Sequence, residues 1–297
     1  MTVPVVSLSK GSSRLFKYII MAVFLPICLL GLIPLWRVFI ASFTSDTAIA
    51  DFGYRLWPKQ FSLEAYVYLL TRPLLLLRAY SVTIEVTVIG TVTGVLIMSM
   101  FAYTLTRGNF RPRRFLDFFI FFPMLFSGGT VPYYILVTRY LFLKNTIWVM
   151  ILPLLVSPFY VLLLRTYFKG LPPMLLEAAK LDGAGETRIF FTIVCPLSMP
   201  AISTVALFSM LGYWNDMYQA LLFIDNQNLF PLQYLLYKLL EDSQIIPQGS
   251  AYAGQPTPYQ SVRMAMAVMA ILPILFSFGF VQKYFIRGIT LGGIKGD

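Results

Sequence analysis

Long apolar stretches alternate with short polar ones from end to end of this chain, and the apolar ones set its architecture. Runs of about 20 mostly apolar residues cross a hydrocarbon core as helices. They are expected at about 16–43, 80–105, 115–138, 148–168, 197–224 and 264–286. The pattern predicts an all-α fold, a polytopic bundle of six transmembrane helices in a single domain over residues 1–297 with both termini cytoplasmic. Between the runs lie an outer loop at 44–79 with short interfacial helices, a basic turn near 107–114, a semi-polar segment at 170–196 and a second outer loop at 225–262.

Each run carries its own detail. The first is too long for a cleaved secretory leader and ends in Ile40-Ala-Ser-Phe-Thr-Ser-Asp46 without a small-residue cleavage site, so it is expected to stay as a helix kinked at Pro26 and Pro34. The second has Gly90, Gly94, Ser99 and Ala102 near four-residue spacing, which permits close helix packing, and Glu85 early in it reads as a carboxylate at the outer interface, a role in the translocation path being the other reading. The third is interrupted by Ser127, Gly128, Gly129, Thr130 and Pro132. Irregular backbone at membrane depth survives only where protein or water satisfies it, so this break is expected to face a pore. The fourth contains Pro153 and Pro158.

In the fifth run stand Gly212, Tyr213, Trp214, Asn215 and Asp216. At ~1.5 Å per residue, Asp216 lies roughly 28 Å from the inner start, in the outer part of the bilayer. An aromatic face beside an amide and a carboxylate suits a sugar, whose ring stacks while its hydroxyls hydrogen-bond. An interfacial aromatic belt with a structural Asn–Asp pair is the other reading.

Charge fixes the orientation. The chain has 23 Lys and Arg against 13 Asp and Glu. Most of the basic residues fall on the expected inner face: Lys10, Arg14 and Lys17; Arg107, Arg111, Arg113 and Arg114; Arg165, Lys169, Lys180 and Arg188; and Lys283, Arg287 and Lys295. With 58% hydrophobic and 12% charged residues there is no basic surface left for nucleic acid, and the lipid bilayer is the expected environment. Histidine is absent, and Cys28 and Cys195 are far apart, which excludes histidine-dependent catalysis and common zinc sites.

The segment 170–196 is the chain's one semi-polar inner excursion with helical spacing. Pro172 and Pro173 suit a first helical turn, Leu176, Ala179 and Lys180 follow in register, and Asp182-Gly183 supplies a turn before a second helical run near Glu186. Ala178 and Ala179 are small enough to let another surface approach closely. Pro196 marks the next boundary.

Glu177-Ala178-Ala179, three residues, Gly183, nine residues, Ile193, one residue and Cys195-Pro196 resembles the EAA signature of ABC importer permeases, with Cys195 in place of a leucine. Phe126 to Gly129, Pro132, Asn145-Thr146, the Trp214-Asn215 pair and the carboxyl tail resemble the carbohydrate (maltose-type) class, especially its complex-sugar subgroup. The resemblance implies a type I importer permease, one of two permease subunits working with an ABC ATPase dimer and an extracytoplasmic solute-binding protein in a bacterial plasma membrane. Glu177, Ala178, Ala179, Asp182, Gly183 and Ala184 would form the coupling helix that enters a cleft of the ATPase. Ser127, Gly128, Gly129, Trp214, Asn215 and Asp216 would line the substrate path, and Gln227, Asn228, Tyr252, Gln255 and Tyr259 would face the binding protein. The substrate implied is an oligosaccharide, with an oligouronate as the refinement. ATP and Mg²⁺ would bind the partner ATPase and no cofactor this chain, which has no G-x-x-x-x-G-K-[ST] motif. The alternatives are a stand-alone secondary transporter or channel, which usually carries paired charges in several helices where this chain offers Glu85 and Asp216, and a membrane enzyme, for which no nucleophile and base stand at convincing spacing.

Overall fold

Helices supply nearly all the regular structure in the computed structural model, which describes residues 10–70, 73–108, 110–245 and 259–292. Among them the backbone makes one isolated antiparallel bridge, between Thr44 and Phe61. The chain divides into two compact units, residues 1–71 with 247–269 and residues 72–246 with 270–297.

The first unit begins with helix α1 (Lys10–Ser42), which continues through both Pro26 and Pro34. Every described side chain from Tyr18 to Arg37 is exposed, as a helix bathed in hydrocarbon requires. Ser45 then caps α2 (Asp46–Phe52), its hydroxyl accepting the Ala48 N–H at 3.4 Å, and Gly53 at φ 69° ends that helix. Helix α3 (Glu64–Leu70) follows. Phe43 stacks on Phe61 and Tyr66, with ring centroids 5.8 and 4.9 Å away. Asp46 also caps a distant helix, its carboxylate accepting the N–H groups of Gln260 and Ser261 at 3.0 and 2.7 Å in the first turn of α15 (Tyr259–Gly292). A carboxylate there meets both the orphan donors and the positive end of the helix dipole.

The second unit is built on α4 (Pro73–Thr106), which starts seven residues ahead of the expected span because Pro73 suits a first turn and Leu74 to Leu77 continue it. Then come α5 (Arg113–Leu125), a break, α6 (Thr130–Ile135) with a π-helical turn over Leu136–Tyr140, α7 (Trp148–Ile151) with a 3₁₀ turn over Leu152–Leu154, and α8 (Pro158–Lys169). The semi-polar segment 170–196 contains α9 (Pro173–Leu181), α10 (Glu186–Ile189), a π-helical turn over Phe190–Val194 and α11 (Cys195–Leu197). Last are α12 (Met199–Trp214), α13 (Tyr218–Phe223) and α14 (Leu232–Ile245).

Among the described residues Tyr18–Ser42 and Pro73–Thr106 are each long and apolar enough to cross a bilayer. Three bent pairs reach that length together: Arg113–Leu125 with Thr130–Tyr140 at 117°, Trp148–Leu154 with Pro158–Lys169 at 47°, and Glu186–Leu197 with Met199–Trp214 at 82°. The breaks have visible causes. Ser127 to Gly129 favours turns, and Pro153 and Pro158 each remove a helical N–H. Pro196 removes another, and the ladder yields two residues later, where the Ser198 N–H reaches the carbonyls of Val194 (2.9 Å) and Cys195 (3.1 Å). The region read as the second outer loop holds α14, which buries Leu232, Leu235 and Leu236, one face of a helix.

Close packing of α4 depends on its glycines. A Cβ on Gly90 would run into the Tyr213 ring, and one on Gly94 would lie 2.7 Å from the carbonyl oxygen of Leu155. The Tyr213 hydroxyl passes over Gly90 to donate to the carbonyl of Ile151 at 3.0 Å, within the proline-interrupted stretch. Tyr213→Phe removes that buried hydrogen bond and is expected to cost about 0.5–1.5 kcal/mol. A lowered Tm of the detergent-solubilised protein checks it. Nearer the inner end, Met98, Ala102 and Leu105 of α4 pack with Leu164 and Phe168 of α8, Ile189, Val194 and Val205 as one buried cluster. Asp117 of α5 fastens α5 to α8 by two bonds to Arg165, at 2.6 and 2.9 Å, with Arg113 3.8 Å away.

Candidate functional site

The knob formed by the semi-polar segment is organised by one turn. Pro172 and Pro173 open α9 with preset φ, and its end is a Schellman motif: the Gly183 N–H bonds the Lys180 carbonyl at 3.0 Å and the Ala184 N–H bonds the Ala179 carbonyl at 2.9 Å. Gly183 takes φ 76°, the left-handed conformation this motif demands. Leu176, Ala179 and Ala184 turn inward onto the buried cluster, while Glu177, Ala178, Asp182 and Gly183 are exposed. Apolar side chains also stand outward: Met174 is 78% and Leu181 90% exposed. Of the two alanines only Ala178 is free to meet another surface. Cys195, which replaces a leucine, packs against the same cluster as a small apolar residue would.

A polar cluster that spacing does not reveal lies beside the knob. Glu186, first residue of α10, accepts the Tyr103 hydroxyl on Oε2 at 2.6 Å, has Arg107 Nε 3.3 Å from the same oxygen, and meets Lys180 Nζ through Oε1 at 2.7 Å. The Arg107 guanidinium lies 4.1 Å over the Tyr103 ring. Burial by itself would raise the Glu186 carboxyl, but hydrogen bonds from Lys180 and Tyr103 and the charges of Arg107 and Lys180 hold it below its ordinary value.

The expected path residues separate into two places. Ser127, Gly128 and Gly129 line an open cavity of about 520 Å³ together with Thr130, Tyr133 and Tyr218. That volume falls within the usual range of ligand pockets. The Thr130 and Tyr218 hydroxyls bond each other at 3.0 Å, and the Tyr133 hydroxyl donates to Gln219 Oε1 at 2.6 Å. The described lining offers hydroxyls, backbone and aromatic faces and no ionised side chain. Trp214 is elsewhere: it is buried, its indole N–H donates to the Ala270 carbonyl at 3.1 Å, and it borders an apolar cavity of about 250 Å³ with Ile84, Val88 and Pro273. Asn215 bonds back to the Leu211 carbonyl at 2.9 Å and receives Gln233 at 3.3 Å. The Asp216 carboxylate is faced by the backbone N–H groups of Tyr218 and Gln219, at the start of the helix that brings Tyr218 to the first cavity.

At the opposite end from the knob, Asn145 holds the turn that follows α13. At φ 58° its side-chain oxygen accepts the N–H groups of Asp225 (2.6 Å) and Asn226 (3.2 Å), and its own N–H reaches the Phe223 carbonyl at 3.0 Å. Asparagine is the non-glycine residue best suited to that backbone. The hydrogen bond from Lys144 to Asp225 Oδ2, 2.9 Å, draws the Asp225 carboxyl below its usual value. Gln227 and Asn228 follow with exposed side chains, and the Asn228 carbonyl accepts from Arg78 Nε at 3.1 Å. Tyr252 and Gln255 lie outside the described residues, and of Tyr259 only the backbone, at the start of α15, is described.

Helices broken in these places, a glycine-capped knob and a glycine-lined cavity suit an integral-membrane transport component. Residues 94–291 match the family of binding-protein-dependent transport system inner membrane components, and the chain belongs to that family. The chain is 37% identical to the polygalacturonan/rhamnogalacturonan transport system permease protein YtcP of Bacillus subtilis (strain 168), over 96% of this chain and 99% of that one. It is 30% identical to the arabinooligosaccharides transport system permease protein AraQ of Halalkalibacterium halodurans, over 97% of this chain and all of the other. Among solved structures, a chain of a bacterial ABC transporter involved in the import of the acidic polysaccharide alginate superposes with a TM-score of 0.79 at 28% identity, covering 95% of this chain and 100% of that one.

Proposed function

We propose that this chain is one of two permease subunits of an ATP-driven importer, with six spans and both termini cytoplasmic, that passes an oligosaccharide from an external solute-binding protein to the cytoplasm. The observation that carries this reading is the knob. A capped helix rooted in the core by Leu176, Ala179 and Ala184 presents Met174, Glu177, Ala178 and Leu181 outward, as a part that receives force from another protein must. ATP and Mg²⁺ belong to the partner ATPase dimer, and this subunit is not catalytic. Closure of the ATPases shifts the knob, and helices joined to it reorient so that the cavity opens toward the binding protein. Gln227, Asn228, Tyr252, Gln255 and Tyr259 are the residues proposed to contact that protein.

The substrate is an oligosaccharide rich in uronic acids, in keeping with the relatives' polygalacturonan and alginate. The cavity at Ser127 to Gly129 would contact hydroxyls and ring faces through Thr130, Tyr133 and Tyr218, and carboxylates would be recognised by the binding protein and the second permease. The test is uptake into vesicles holding the reconstituted complex, with oligogalacturonate against arabino-oligosaccharide. Glu177→Lys is expected to leave membrane insertion intact and to abolish uptake while ATP hydrolysis persists. Unchanged uptake by that variant would count against the coupling role, and transport by the chain without an ATPase would favour a stand-alone carrier.

A further inference from the structure

The knob is joined covalently to α8 through residues 170–172 on one side and to α12 on the other. From α10 the chain runs through the π-helical turn at Phe190–Val194 and the 82° bend near Ser198 into α12, a route with two irregular joints. Helix α4, whose Gly90 and Gly94 seat it against Tyr213 and Leu155, meets the knob region through side chains alone. At that place stands Glu186, and its two oxygens divide the work. Oε1 holds Lys180 at the end of α9, while Oε2 takes the Tyr103 hydroxyl and faces Arg107 at the end of α4. The Phe190 ring backs Tyr103 at 5.2 Å between centroids, so the phenol has little freedom to follow a displaced carboxylate. A charge-assisted O–H···O⁻ bond of 2.6 Å is short and directional.

We propose that Glu186 is a positioning residue that pins the knob to the inner end of α4, so that a shift of α9 moves α4 with it rather than bending the joint that leads to α12. The inference rests on the reading of α9 as the part that receives force from an ATPase, and deepens it. Without the pin, the apolar contacts of Leu176, Ala179 and Ala184 would still join the knob to the buried cluster, but more of its motion would be absorbed at Phe190–Ser198 and less substrate would move per ATP.

The test uses the whole complex in vesicles, with oligogalacturonate as the uptake probe, and reads substrate imported per ATP hydrolysed. Glu186→Ala is expected to lower that ratio by at least about 5-fold, the lower end of usual inter-site coupling, while the ATPase still co-purifies. Glu186→Gln keeps an acceptor for Tyr103 but loses the charge, and is expected to fall between Ala and the parent protein. It also serves should the alanine variant fail to assemble. Tyr103→Phe combined with Glu186→Ala is expected to be no worse than Glu186→Ala alone, because both break one bond. A parental ratio in Glu186→Gln and Glu186→Ala, or losses that simply multiply in the double variant, would overturn the pin. If Glu177→Lys uncouples in the same vesicles, only the pin has failed; if Glu177→Lys is also silent, the force-receiving role of α9 has failed beneath it.

Discussion

Gly94→Leu is expected to abolish accumulation of folded permease, and Gly94→Ala alone to cost about 1–3 kcal/mol through overpacking. The difficulty is in the atom that a Cβ would meet. It is the carbonyl oxygen of Leu155, 2.7 Å away, and not the end of a side chain that could rotate aside. That oxygen is fixed by its setting, since Leu155 follows the 3₁₀ turn Leu152–Leu154, bonds its N–H to the Leu152 carbonyl at 3.3 Å and is followed by Pro158. Relief would require α4 to withdraw from the bent pair Trp148–Leu154 and Pro158–Lys169, and with it the seat of Tyr213 at Gly90 would be lost. Helix association in a bilayer relies on this kind of close approach because lipid tails leave little hydrophobic drive between helices. Gly212→Ala is the control: a Cβ there meets nothing within 4 Å, and its Tm and size-exclusion profile in detergent should match those of the parent protein. A parental profile for Gly94→Leu would show that this approach does not hold the fold together.

The glycine stripe, the proline start of α9 and the turn at Gly183 are legible in the sequence because each is a local backbone requirement written in residue type. Contacts made over long separations are not. Tyr103 and Glu186 stand 83 positions apart, and Asp46 and Ser261 215, so no spacing rule joins them. The one sequence signal for Glu186 is an acidic residue in the first turn of a short helix in a chain with a basic cluster at Arg107 to Arg114. Asn145 stands out by resemblance, and its reason emerges only from the turn it holds at Asp225 and Asn226. Trp214, Asn215 and Asp216 are consecutive, yet the helix ends between them. Trp214 therefore turns to Ala270, while Asp216 faces the start of α13. Tyr133 and Tyr218, which join Ser127 to Gly129 at the open cavity, escape a sequence reading because neither stands out in a chain with 18 tyrosines. Helix α14 escapes it for a related reason, its apolar face being short and enclosed by polar sequence.

Gly183→Pro is expected to leave insertion and span packing intact while separating ATP hydrolysis from uptake almost completely. Proline fixes φ near −65° and has no N–H, whereas Gly183 adopts 76° and donates to Lys180. Both bonds of the Schellman motif would go, the end of α9 would lose its direction, and Lys180 would no longer meet Glu186 at 2.7 Å. The fully buried residues that hold α4, α8 and α12 together lie outside this turn, whose Ala179 and Ala184 only flank them, so the membrane-embedded part has no reason to unfold. The graded series separates conformation from bulk. A Cβ at Gly183 meets nothing within 4 Å, so Gly183→Ala suffers only the left-handed backbone, about 1–2 kcal/mol, and Gly183→Asn less, because asparagine visits that region readily. Coupling measured as substrate imported per ATP should therefore fall in the order Asn, Ala, Pro. A flat series would mean that the turn does not have to hold α9 in place for force to be transmitted.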